Sequence, residues 1–204
     1  LVLGLLVWGF VLLERRNLGG ATLLVLLSAF VKIFGAVAFL LFWFYPRRGR
    51  AFAYGVGWTT LLVALPLLVV PPSDLAVQYQ NWLRLLQSDH STSAGLSVMG
   101  WLNTWFNFFP DKTALVAVGL GLLLLPLWRR SAYETYRFRL WMLASTLIWV
   151  VIFNHKAESP TFIIAMGGVG LWYFSQKPTL INTGLAGLAF VVKSLSPTDV
   201  FPHF

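Results

Sequence analysis

The 204-residue chain is 58% hydrophobic and only 11% charged, with a formal net charge of +8, and its mean hydropathy is +0.74. That balance excludes a soluble globular domain and a disordered chain, and implies a polytopic membrane protein. The basic residues fall in short clusters between apolar runs, which excludes a nucleic-acid-binding face, and there is no cysteine to form a disulfide or a thiolate metal site.

The apolar runs cover residues 1–13, 21–45, 51–70, 113–128, 140–153, 161–174 and 179–192. Several fall short of the roughly 20 residues that span a bilayer core, although aromatic ends extend a span into the interface. The expected fold is therefore all-α: a polytopic helical membrane protein of about seven apolar helical segments, with one large external loop carrying an amphipathic helix. The chain opens at Leu1 inside an apolar stretch, without an initiator Met or a targeting signal, and is read as a fragment: residues 1–204 as a partial transmembrane domain, 71–112 as the external loop within it. By the positive-inside rule, Arg15 and Arg16, then Arg47, Arg48 and Arg50, then Arg129, Arg130, Arg137 and Arg139 mark cytoplasmic loops.

Lys32 lies near the middle of the second run. A charge at bilayer depth costs at least about 2.5 kcal/mol, so such a lysine either faces a polar cavity or partner, or snorkels to an interface. If residues 21–45 formed one straight span, the arginines before and after it would lie on opposite sides of the membrane, against the charge rule. The alternative is a short helix that breaks around residues 32–35 and returns as another, since irregular backbone at membrane depth is tolerated beside protein or a water-filled cavity.

After the third run, the loop holds Leu75, Tyr79, Trp82, Leu83 and Leu86 at helical spacing, with Gln78, Asn81, Arg84 and Gln87 between them. This is an amphipathic helix, either lying on the outer leaflet or packed on the protein as a cover. The remainder, residues 88–109, is rich in Ser, Gly, Asn and aromatics, a mixture that suits a carbohydrate site or a membrane-edge loop.

The densest polar cluster between apolar runs is Asn154, His155, Lys156, Ala157, Glu158, Ser159, Pro160 and Thr161, which alternation puts on the outer side. Pro160 suits a first helical turn, with Ser159 as its N-cap. Backbone amides at a helix start beside His155 and Lys156 make a phosphate seat, and Glu158 can accept from sugar hydroxyls or orient the lysine. The bland alternative is a capped polar turn. His90, His155 and His203 share no ligand spacing, so no metal site is expected. The glycines 119, 121, 167, 168 and 170 lie in apolar runs, where close helix packing explains them.

Three features together resemble glycosyltransferase family 87, polyprenol-phosphate-dependent enzymes of the integral-membrane GT-C superfamily. They are the Lys32 helix followed by the basic 46–50 turn, the loop with Tyr79, Trp82 and Gly95-Leu96-Ser97, and the stretch from Asn154 to Thr161. The last stretch looks most like bacterial members. Where the family has a Lys-x-x-Pro pattern, this chain has Lys32-Ile33-Phe34-Gly35. The resemblance implies transfer of a hexose, typically mannose, from a polyprenyl-phosphate-sugar donor to a glycan or glycolipid acceptor, at the external face of a bacterial inner membrane. It implies no cofactor, since the lipid-linked sugar phosphate is a substrate, and it implies a catalytic acid in a loop upstream of Leu1.

Leaving-group charge on the lipid phosphate must be met by cations. Lys32, His155 and Lys156 are assigned to phosphate binding, and Asn154, Glu158 and Ser159 to contact with the sugar or its positioning. Two other classes stay open: a transporter or flippase for a lipid-linked or anionic solute, and a structural membrane subunit.

Overall fold

A computed structural model describes residues 1–88, 97–154 and 159–195, and among these the chain is helical throughout, with no strand. Helix α1 (Val2–Glu14) ends in a Schellman turn: Arg16 N–H donates to the Leu13 carbonyl and Asn17 N–H to the Leu12 carbonyl, each at 2.9 Å. Arg16 occupies the left-handed position, φ 60°, usually given to glycine. Asn17 then caps α2 (Leu18–Val31), its Oδ1 accepting from Gly20 N–H at 3.0 Å. Three residues thus close an αα-hairpin.

At Lys32 the backbone turns extended (φ −146°, ψ 119°) and the chain returns as a 3-10 helix, Ile33–Phe44. The run from 21 to 45 is therefore a broken pair. Fourteen α-helical residues rise about 21 Å at 1.5 Å each, and twelve 3-10 residues about 24 Å at 2.0 Å each. The stretched return thus covers the same height with fewer residues. A Cβ added at Gly35 would lie 2.8 Å from the Ser28 carbonyl carbon and 2.9 Å from Ala29 N. Glycine at this position lets the two backbones touch, a packing reason for the departure from proline.

Arg47, also left-handed at φ 63°, starts α3 (Arg48–Ala64), which continues as a 3-10 turn, Leu65–Leu68. This run, Arg48–Leu68, is long and apolar enough to cross a membrane, and only 6% of its apolar window is buried inside the protein. The other apolar helices are shorter. Residues 71–112, expected from sequence to form an external loop, contain α4 (Pro72–Ser88), the amphipathic helix expected there, and also α5 (Val98–Phe106), expected as loop. Ser97 caps α5 by accepting from Gly100 N–H at 3.3 Å.

The second half consists of α6 (Lys112–Leu124), α7 (Tyr136–Ile152), α8 (Phe162–Phe174) and α9 (Leu180–Leu195). Helix α7 is the centre of the core: Met142, Leu143, Leu147, Val150 and Val151 are buried with Leu6, Leu13, Val25 and Leu41 from the first half. Small residues set the spacing, because a Cβ at Gly168 would meet the Ala144 carbonyl and one at Gly119 the Phe153 ring. Gly121 and Gly170 meet nothing, so close packing does not explain them. The halves are tied by a clamp in which one carboxylate does the joining: Glu14 accepts from Arg139 Nε at 2.6 Å and Nη2 at 2.7 Å, and from the Tyr45 hydroxyl. Arg139, read from sequence as a loop charge, belongs to the first turn of α7.

Candidate functional site

The break at Lys32 places the lysine at the tip of the α2 hairpin, half-buried, with its ammonium 5.8 Å from the Phe34 ring centroid. Its Nζ donates to Thr161 Oγ1 at 3.5 Å, a long hydrogen bond across 129 positions of sequence. Thr161 is 3% exposed and stands at the N-terminus of α8, preceded by a 3-10 turn over Ser159–Thr161. The α-helix therefore begins later than the Ser159 cap expected from sequence, and Thr161 occupies the cap position without a capping bond from its side chain.

Asn154 follows the end of α7, its N–H donating to the Val151 carbonyl at 3.2 Å. His155, Lys156 and Glu158 lie outside the described residues, as does the side chain of Ser159. The structure thus brings Lys32 to Thr161, within the polar stretch singled out from sequence. Two residues at this end were not foreseen as site members. Thr161 was read as part of a helix start. Trp149 stacks on Phe153 at 5.7 Å between centroids, and its indole N–H is buried with no partner among the described residues.

Beside the hairpin tip lies an apolar cavity of about 730 Å³ between Phe30, Val31, Ile33 and Val63 on one wall and Tyr79, Trp82, Leu83 and Leu86 of α4 on the other. The Tyr79 hydroxyl donates to the Val63 carbonyl at 2.8 Å and holds α4 in place. Trp82 and Leu83 remain half exposed, so α4 walls a groove and does not seal it. In extended backbone successive side chains alternate, so Val31 and Ile33 face this groove while Lys32 points to the other side, toward α8. An anionic amphiphile reaching both must pass over the tip.

Among the described residues the protein is an all-helical one, with a cation at a hairpin tip beside an apolar groove. The sequence matches the family model of Glycosyltransferase family 87 over residues 1–153 of 204, and the chain belongs to that family of membrane-associated glycosyltransferases. It is accordingly an enzyme class that moves a sugar from a donor to an acceptor. The match takes in Lys32, the hairpin and α4, and stops just before Asn154. No curated protein and no solved structure matches the chain.

Proposed function

We propose that the protein transfers a hexose, with mannose the first candidate, from a polyprenyl-phosphate-sugar donor to a glycan or glycolipid acceptor at the external face of a bacterial inner membrane. The observation that carries this reading is the bond from half-buried Lys32 to Thr161, which draws the hairpin tip, itself next to the α4 groove, to the polar stretch. In this reading the polyprenyl chain lies in the groove and its phosphate crosses the tip to Lys32. His155 and Lys156 add positive charge, and Asn154, Glu158 and Ser159 position the sugar. As the sugar–phosphate bond breaks, negative charge grows on the departing phosphate, and a cation already in place lowers that barrier without reorganising. The apolar surfaces of α3, α6 and α9, where Phe52, Val56, Val118, Leu122, Ile181 and Leu188 are each more than half exposed, support a lipid environment for the bundle.

The test is transfer of labelled hexose from a polyprenyl-phosphate donor by the full-length protein in membranes. Lys32→Ala is expected to lower kcat/KM for the donor by about 100-fold, the scale for removing one preorganised electrostatic group, with acceptor KM unchanged. A folded parent that moves no sugar from any polyprenyl-phosphate donor, yet translocates one, would replace transfer by transport.

A further inference from the structure

The opposite end of the hairpin holds a second, differently built site. The turns at Arg16, at Arg47 and before α7 meet around a cavity of about 820 Å³ lined by Arg16, Arg47, Arg48, Arg130 and Arg139, with Glu134 as the acidic member of its wall. Arg139 is spent on Glu14. Among the described residues, Arg16, Arg47, Arg48 and Arg130 pair with no carboxylate within 4.0 Å. Four guanidiniums lining one cavity with a single carboxylate, Glu134, in its wall leave an excess of positive charge there, and their planar forks match phosphate oxygens better than lysine would.

Arg48 also lines an adjoining cavity of about 540 Å³, whose other walls are mostly apolar: Leu26, Phe39, Phe42, Phe52 and Val56 from α2, its 3-10 return and α3, with Thr59 further along α3. A polar compartment and a greasy one therefore share one arginine. Trp43, half exposed, stacks under the Arg48 guanidinium at 4.4 Å from its ring centroid and sits at the junction as an indole does at a lipid headgroup level.

From this pairing we infer that the arginine-rich end binds an anionic glycerophospholipid of the cytoplasmic leaflet, its phosphate among Arg16, Arg47, Arg48 and Arg130 and one acyl chain along Phe39, Phe52 and Val56. A free phosphate would satisfy the arginines and leave the apolar compartment unused; a zwitterionic lipid would fill the compartment but bring its own ammonium beside the arginines and leave the net positive charge unchanged. The site is separate from the Lys32 end, and the inference rests on the membrane placement in the proposed function but not on its sugar chemistry. Basic pockets between membrane helices on this side hold acidic headgroups by the same physics.

The experiment is native mass spectrometry of the full-length protein from mixed phosphatidylcholine and phosphatidylglycerol nanodiscs, counting retained lipid. The parent is expected to retain phosphatidylglycerol in preference to phosphatidylcholine. The double substitution Arg47→Gln with Arg48→Gln is expected to weaken that retention about 10- to 30-fold, at roughly 1 kcal/mol for each arginine, while Arg84→Gln on α4 leaves it unchanged. Thr59→Trp, which fills the apolar compartment, is expected to reduce retention with every arginine in place. Equal retention of both lipids by the parent overturns the inference, as does equal weakening by Arg84→Gln, or full displacement of the lipid by millimolar inorganic phosphate.

Discussion

At the scale of single residues, the charges divide into one that reaches another segment through a hydroxyl, several that crowd a cavity, and one pair that holds the halves together. Lys32 was legible in the sequence because a lysine amid apolar residues has few benign explanations. Thr161 was not, because a threonine beside a proline at a helix start has an ordinary local role as a cap, and nothing in its neighbours signals a partner 129 positions away. Arg139 illustrates the same limit from the other direction: positive charge near a run end reads as topology, whereas its Glu14 partner can be found only in three dimensions. Breaking a fully buried pair by removing one partner costs 3–5 kcal/mol. With side-chain exposures of 12% for Arg139 and 21% for Glu14, about 2 kcal/mol is the better expectation for Glu14→Gln, because water solvates part of what is left. Thermal unfolding in detergent should therefore show a midpoint several degrees lower, and an unchanged midpoint would mean that the clamp contributes nothing to holding α1 against α7.

At the scale of elements, the apolar runs each appear as helix, because a long apolar stretch in a chain of this composition has few other ways to satisfy its backbone. The break at Lys32 was legible through the charge conflict it resolves. Its 3-10 form was not: in a run as uniformly apolar as Ile33–Phe44, hydrophobic periodicity carries no signal to separate three residues per turn from 3.6. Helix α5 escaped for another reason, since nine residues are fewer than the window in which a helical period can be counted. The hairpin makes a sharp prediction about glycine. Gly35→Ala would press a methyl group against backbone atoms of Ser28 and Ala29 that no side-chain rotation can clear, so it should open the hairpin and abolish folding or lower the unfolding midpoint steeply. Gly57→Ala, inside α3 with nothing within 4 Å of the added Cβ, should be neutral or stabilising by up to about 1 kcal/mol. Equal effects of the two substitutions would show that the close approach of the 3-10 return to α2 does not exist in the folded protein.

At the scale of the whole molecule, the two ends of the hairpin are built differently, and the positive-inside rule predicts the arginine-rich end on the cytoplasmic side. One end gathers Arg16, Arg47, Arg48 and Arg130 around a single cavity, and the other carries Lys32, Thr161 and the groove under α4. Both arginine turns, at 15–16 and at 47–50, lie on the same end because the segment between them goes out and back, where a single crossing would have parted them. Since the chain contains no cysteine, single-cysteine labelling reads this directly without a background to remove. Arg15→Cys and Arg50→Cys, both exposed, should react from the cytoplasmic side alone, and Gln87→Cys on the exposed face of α4 from the outer side alone. Among the described residues, the run Arg48–Leu68 is the one helix that meets both length and hydropathy for a crossing, so it is expected to carry the chain from the Arg50 label to the Gln87 label. Labels at 15 and 50 reacting from opposite faces would turn the 21–45 segment into a true span and remove the shared arginine cavity. All three reacting from one face would instead leave Arg48–Leu68 in the plane of the interface, and the Lys32 end would lose its external assignment with it.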